Sequence, residues 1–407
     1  MNKKPELLIP ASSLEVLKTA IVFGADAVYI GGEAFGLRAK AKNFSLEQMK
    51  EGIEFAHAHN KKVYVTANII AHNQDLEGVR AYFKELKDVK PDALIIADPA
   101  IFSIAKEELP EMEIHISTQA NNSNYGTFLF WWNLGVKRVV TARELSLAEI
   151  KEIRDQIPAE MEIESFIHGA MCMSYSGRCL LSNYFTGRDA NQGACTHPCR
   201  WKYSLVEETR PGEYMPVYEN ERGTYIFNSK DLCMIEHIPE MIDAGIDSLK
   251  IEGRMKTALY VATVARTYRK AIDDFYESPQ KYEENMPWYL DQISNCTYRQ
   301  FTTGFYFGKP NESAQIYDNN TYIKEYTYLG LIEAEVNGSY QIEQKNKFSV
   351  GETIEIMKPD GRNIEAVVEE IKNEENELME SAPHPQQVLF IKLSEKAEHY
   401  DILRRKA

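Results

Sequence analysis

The sequence predicts an α/β protein, a TIM-like (β/α)8 barrel followed by a small all-β barrel domain, and three observations carry that prediction. Strand-like and helix-like segments alternate about eight times within roughly 250 residues, the count of a (β/α)8 barrel. Several of the strands are apolar on one face and polar on the other, whereas an open sheet covered by helices on both faces reads almost wholly apolar. From about Tyr326 onward the helical period disappears and only short alternating segments remain, with Pro359-Asp360-Gly361 as a turn.

In chain order the expected barrel strands are 6–9, 27–30, 62–67, 93–97, 113–117, 138–141, 162–166 and 248–252. Expected helices are 14–23, 46–58, 76–86, 124–134, 146–156 and 238–243, followed by a long amphipathic run from Ala258 to about Ser278 that would close the barrel. Ser13, Ser45, Asp75 and Ser146 stand where N-caps belong, Pro239 suits a first helical turn, and Gly24 and Gly135 suit C-caps. In 62–68 the polar face is Tyr64, Thr66 and Asn68. In 113–119 it is His115, Ser117 and Gln119, and in 248–252 it is Ser248, Lys250 and Glu252. Buried charge is costly unless paired, so Lys250 and Glu252 are expected to pair or to serve a site. The barrel, with a cysteine-rich insertion at 168–200, is expected to span 1–280. A connector over 281–325 follows, and then a small β-barrel over 326–407 with strands at 328–336, 339–344, 352–357, 363–371, 388–393 and 400–403.

The chain has 407 residues, 44% apolar and 26% charged, the composition of an ordinary soluble globular protein. Its net charge of −15 argues against a protein that coats nucleic acid non-specifically. Over 321–407 there are 11 Lys+Arg against 17 Asp+Glu, so the β domain does not read as a broad phosphate-binding surface. The most apolar stretch, 93–105, is interrupted by Asp98 and Pro99 and is too short to span a bilayer, and the start lacks the apolar core of a secretory signal. A cytoplasmic location follows as the expectation. Disulfides are rare there, which leaves six cysteines free, metal-bound or catalytic.

Four of the six, Cys172, Cys179, Cys195 and Cys199, form C-x6-C-x15-C-x3-C in the insertion; Cys233 and Cys296 read as core. Four thiolates from one loop suit a tetrahedral zinc or a [4Fe–4S] cluster. Zinc sites favour C-x2-C knuckles, absent here, and the wide spacings with Gly177, Gly193 and Pro198 suit a larger object, so the pattern leans to iron–sulfur and leaves zinc and unrelated thiols open. The C-x3-C-x2-C of radical enzymes is not met, because position 202 is Lys. Arg178, Arg188, Arg200 and Lys202 surround the cysteines. Arg38, Lys40 and Lys42 follow the second strand, and Arg254 and Lys256 follow the last. A barrel would gather these on its C-terminal face, giving an acidic protein a basic mouth suited to a small anionic metabolite or a phosphate. Arg178, Arg188 and Arg254 are the expected anion-binding residues. His168, at the end of the strand feeding the loop, is expected to exchange protons near neutral pH. Asn228 reads as a hydrogen-bonding residue in a polar turn, Lys250 as the partner of Glu252, and Glu252 as the candidate base at the rim.

The segments His168-Gly-Ala-Met-Cys172-Met-Ser-Tyr-Ser-Gly-Arg-Cys179 and Arg188-Asp-Ala-Asn-Gln-Gly-Ala-Cys195-Thr-His-Pro-Cys199 resemble the collagenase-like peptidase family, family thirty-two of unknown catalytic type. The likeness extends through Gly24-Ala-Asp-Ala-Val-Tyr-Ile-Gly-Gly, Ser117-Thr-Gln-Ala-Asn, Asn228-Ser-Lys-Asp-Leu and Lys250-Ile-Glu-Gly-Arg254. The resemblance implies a TIM-like barrel with a [4Fe–4S] cluster on Cys172, Cys179, Cys195 and Cys199. It implies hydroxylation of carbon 5 of a wobble uridine in tRNA, with prephenate required and molecular oxygen not. The family's older label is peptidase, yet the chain carries no G-x-S-x-G and no H-E-x-x-H, and His57 and His59 do not share a helix face. Two further readings are a cryptic or metal-dependent peptidase and a non-catalytic RNA-binding module stabilised by a cluster or by zinc.

Overall fold

The computed structural model describes residues 3–32, 43–171, 181–188, 190, 195–196, 198, 230–296, 300–308 and 326–407, with the backbone of 204–205, 215–216, 228–229 and 315–316. Within it eight strands run parallel in chain order: β1 (Glu6–Pro10), β2 (Ala27–Gly31), β3 (Lys62–Ala67), β4 (Ala93–Ile96), β5 (Glu113–Ile116), β6 (Arg138–Val140), β7 (Glu162–Ala170) and β8 (Ser248–Ile251). Strand β8 pairs with both β7 and β1, which closes the barrel. All eight expected strands are present, with ends shifted by up to four residues.

Helices α1 (Leu14–Val22), α2 (Leu46–Ala58) and α3 (Leu76–Val89) follow β1, β2 and β3. Ser45 closes a capping box on α2, and its hydroxyl accepts from Gln48 N. Helix α4 (Pro99–Glu108), after β4, is absent from the expected elements. Its signal is Asp98-Pro99: Asp98 Oδ1 accepts from Ala100 N at 2.8 Å and Ile101 N at 3.2 Å, and Pro99 opens the helix. Helices α5 (Tyr125–Asn133) and α6 (Leu147–Gln156) follow β5 and β6. Helix α7 (Leu181–Thr186) lies in the cysteine-rich insertion, and α8 (Ile238–Asp243) precedes β8.

Strand β7 runs four residues further than expected. Beyond the barrel its end pairs antiparallel with 231–233, matching Cys233 to His168, Leu232 to Gly169 and Asp231 to Ala170. That partner satisfies backbone groups which a bare strand end would leave open. His168 therefore lies within a strand. Asn228, expected in a turn, lies in a two-residue strand paired with 315–316.

The inward faces carry the residues that the alternation assigned to them. Leu8, Ala27, Tyr29, Tyr64, Ala93 and Ile95 form an apolar layer. A charged network stands beside them. Arg138 pairs with Glu6 at 2.5 Å, with Glu162 at 2.6 Å and with Glu164 at 3.4 Å. Tyr64 Oη donates to Glu6 at 2.6 Å, and Ser248 Oγ donates to it at 3.0 Å. Lys250 pairs with Glu164 at 2.6 Å. The expected Lys250–Glu252 pair is replaced by this one: Glu164 is a fully buried inward residue of the neighbouring strand, whereas Glu252 lies past the end of β8.

Burial alone would push the Glu6 carboxyl up, but the charge and hydrogen bonds of Arg138, with the bond from Tyr64, outweigh it and hold the group at about 2, against an ordinary 4.5. A lowered carboxyl pKa contributes stability that is complete above the unfolded value and is lost as pH falls through the folded one. Stability is thus expected to fall by about 3 kcal/mol between pH 4.5 and 2 on account of Glu6. Urea midpoints across that range check this: Glu6→Gln should flatten the acid limb, and an unchanged limb would remove Glu6 as its source.

The chain forms two compact units, residues 1–18, 26–256 and 299–321 in one, and 19–25, 257–298 and 322–407 in the other. In the second unit, the segment expected as a connector carries two helices, α10 (Pro279–Glu284) and α11 (Met286–Ser294), behind the long α9 (Ala258–Glu277). Proline opens both α10 and α11. Arg266 of α9 donates to Lys358 O at 2.8 Å and to Gln292 Oε1 of α11 at 2.5 Å, which fixes these helices to the β strands of the same unit. The β strands are 326–336, 339–343, 353–357, 363–372, 388–393 and 402–406. They close an antiparallel barrel around Leu329, Ile342, Ile356, Val368, Leu389 and Leu403, with the short strand 378–379 at one edge.

Candidate functional site

The C-terminal ends of the barrel strands open into a pocket with about 530 Å³ of space not filled by atoms. Seven of the eight strands supply it, from their C-terminal ends or just beyond. Tyr29 comes from β2, Thr66 and Asn68 from β3, Ile95 from β4, Ser117 to Gln119 from the end of β5, Arg143 from beyond β6 and Phe166 from β7. Lys250, Glu252 and Arg254 come from β8 and its continuation.

Arg254 is only 6% exposed. Its Nη1 donates to Thr66 Oγ1 at 2.8 Å, and that hydroxyl donates in turn to Ile30 O at 3.0 Å. The guanidinium lies across Gly31, where a Cβ would come within 2.7 Å of Nη1. The glycine is required by this close approach. Lys250 forms the floor. Burial pushes its ammonium down, and the Glu164 carboxylate opposes that shift. The ammonium also faces the rings of Tyr29 at 4.5 Å and Phe166 at 5.4 Å. Glu252 N donates to His168 O at 2.8 Å. Gly169 packs so tightly on this turn that a Cβ would meet Glu252 O at 2.5 Å, and its φ of +104° favours glycine as well.

Lys250, Glu252 and Arg254 thus converge as expected. His168 does not join them. It is 1% exposed and absent from the pocket lining, and its ring stands 5.7 Å from Phe301. Burial, reinforced by the charge of Lys256, holds the imidazole near 3, so it stays neutral at physiological pH and cannot exchange protons there by titration. Arg188 is half-buried and does not line the pocket either. Arg178, Cys172, Cys179 and Cys199 lie outside the described residues, as does the side chain of Asn228.

Cys195 is exposed. The next residue is tied to α7: Thr196 N donates to Ser182 Oγ at 3.0 Å, and the Ser182 and Thr196 hydroxyls lie 3.0 Å apart. These bonds tie the segment that follows Cys195 to α7, which the sequence places just after Cys179. Among the described residues no cluster of three or more His, Cys, Asp and Glu stands ready for a metal.

Sequence reasoning missed Arg143. It stands three residues beyond β6, at a strand end on the C-terminal face, which was the available signal. Nη1 of Arg143 donates to Ala170 O at 2.7 Å, and its guanidinium carbon lies 3.9 Å from the centre of the Phe166 ring.

Fold and site define an α/β-barrel protein with a small-ligand pocket at the carboxyl ends of its strands, a cysteine-bearing insertion and an appended β-barrel. The chain belongs to Peptidase family U32: the family profile matches residues 12–316, and that of the family's C-terminal domain matches residues 324–404. The chain is 42% identical over 407 residues to tRNA hydroxylation protein P1 of Bacillus subtilis, covering 100% of this chain and 96% of that protein. It is 39% identical over 444 residues to tRNA hydroxylation protein P of Escherichia coli, covering 99% and 97%. To the 23S rRNA 5-hydroxycytidine C2501 synthase of Escherichia coli it is 39% identical over 272 residues, covering 67% of this chain and 40% of that protein. No helix among the described residues is long and apolar enough to cross a membrane.

Proposed function

We propose that this protein is a cytoplasmic RNA-modifying enzyme that hydroxylates tRNA, converting a wobble uridine to 5-hydroxyuridine with prephenate as co-substrate. The observation that carries the reading is identity of 42% along the whole chain to a tRNA hydroxylation protein. A basic pocket in the barrel mouth agrees with it. Cys172, Cys179, Cys195 and Cys199 would hold a [4Fe–4S] cluster, which when bound supplies one-electron redox chemistry. Arg254, fixed by Thr66 and Gly31, would bind the anionic co-substrate by charge-assisted hydrogen bonds. The Glu164–Lys250 pair gives a floor with no net charge, and Glu252 lines the pocket as its one carboxylate among the described residues.

Hydrolysis of peptides finds less support. Among the described residues no histidine lines the pocket to activate a nucleophile. Thr118 Oγ1 donates to Thr141 O at 2.9 Å, and Ser117 Oγ accepts from Asn68 Nδ2 at 3.2 Å.

The test is complementation. Expressed in an Escherichia coli strain without tRNA hydroxylation activity, the chain should restore 5-hydroxyuridine in digested tRNA, measured by nucleoside mass spectrometry. Cys195→Ser should lose both that signal and the brown colour of anaerobically purified protein. A wild-type chain that restores nothing overturns the reading.

A further inference from the structure

Arg143 offers the pocket a donor edge that the proposed function has not used. The side chain is held on two sides. Nη1 is committed to Ala170 O, and one face of the guanidinium lies on the Phe166 ring. Its Nε is buried and makes no hydrogen bond among the described residues. A buried N–H left without an acceptor is costly, and native structures rarely keep one without a reason. With Nη1 occupied, the edge formed by Nε and Nη2 is the one that remains, and this edge matches the two oxygens of a carboxylate in plane.

The surroundings favour an organic acid over an inorganic ion. Tyr29 and Ile95 line the same pocket and offer apolar surface to a carbon skeleton, while Asn68 and Gln119 offer amides. Arg254 supplies a second guanidinium. The facing charges are Glu252 at the rim and Lys250 on the floor, the latter neutralised by Glu164. Glu144 is the neighbour of Arg143; burial raises its carboxyl, and the charge of Arg143 opposes that shift.

We propose that the Nε–Nη2 edge of Arg143 receives the carboxylate of a small organic acid in the barrel-mouth pocket, and that the same side chain, through Ala170 O, couples occupancy of the pocket to the root of the cysteine-bearing insertion. Ala170 is the last residue of β7 and precedes Cys172 by two positions. A ligand drawn onto one edge of the guanidinium fixes its other edge, and with it the backbone from which the insertion departs. The inference rests on the proposed function only for its probe, prephenate.

The experiment uses the full chain without RNA. Titration calorimetry with prephenate should show binding to the wild type and a loss of affinity of roughly tenfold or more in both Arg143→Gln and Arg143→Lys, because lysine keeps the charge and loses the planar fork. Hydrogen–deuterium exchange of residues 163–171 should slow with prephenate in the wild type and not in Arg143→Lys. Thermal melting identifies any variant that has not folded, and Arg143→Lys, the milder change, decides the case. Arg143→Lys binding as tightly as the wild type overturns the proposal. So does tighter binding of inorganic phosphate than of prephenate, or equal protection of 163–171 in both proteins. A wild type that binds no prephenate also overturns it, whereas 5-hydroxyuridine in the complemented strain would leave the RNA-hydroxylation reading standing.

Discussion

Replacing Arg254 by alanine is expected to lower 5-hydroxyuridine in the complemented strain roughly tenfold to a hundredfold while leaving the melting temperature within a few degrees of wild type, on the magnitudes of a lost charge-assisted contact and of lost internal hydrogen bonds. The asymmetry follows from the local bonding. Arg254 is buried at the pocket, yet the hydroxyl it binds does not depend on it, because Thr66 Oγ1 still donates to Ile30 O. Removal therefore leaves the Thr66 hydroxyl bonded and takes away a guanidinium that lines the pocket. Arg254→Lys should not restore activity, since an ammonium offers a point charge in place of a planar fork. Gly31→Ala should mimic the loss from the other side, as the added methyl would occupy the space of Nη1. Nucleoside mass spectrometry and a thermal melt decide the matter together. Wild-type 5-hydroxyuridine in a folded Arg254→Ala protein would remove this residue from the site.

Arg138→Met is expected to have the opposite profile, a loss of stability of about 3–5 kcal/mol at neutral pH, a large part of the total for a domain. The arginine side chain is 4% exposed and meets Glu6, Glu162 and Glu164. Without it those carboxylates face one another with Lys250 as the cation paired to Glu164. Their pKa values must then rise, so the variant should regain part of its stability on mild acidification to pH 5, a range above that in which wild type loses the Glu6 contribution. Glu6→Gln in the Arg138→Met background should also recover part of the loss. Urea melts at pH 7 and pH 5 measure both effects. A variant as stable as wild type at pH 7 would show that the network is not a stabilising element of the barrel.

The sequence by itself determined the order of elements and the parity of the strands. Strand alternation is a local property, repeated every two residues, so Tyr64, Thr66, His115, Ser248 and Lys250 could be assigned to the barrel interior without any knowledge of their neighbours. The same logic placed Glu252 and Arg254 at the mouth, because a residue just beyond the end of a barrel strand must stand there. The turn from helical to strand period near Tyr326 marked the second barrel. Where signals were local they were legible even when overlooked: Asp98-Pro99 announces α4, and Pro279 and Pro287 open the helices in the segment that reads as a connector.

Tertiary structure alone decided which charges meet. Glu164, beside the start of β8, and Glu252, past its end, are both two strand positions or fewer from Lys250 in register or sequence, and nothing in the linear chain says which one Lys250 will choose. The register of β7 against β8 sets it, placing Glu164 beside Ser248 and Phe166 beside Lys250. Arg143 carries no motif, and its place in the pocket depends on a ring from β7 and a carbonyl from the end of the same strand. His168 shows the same limit in reverse. Its position in the chain suggested a proton-exchanging group, but its protonation depends on desolvation, and desolvation is a property of everything packed around the ring rather than of the residues beside it in sequence.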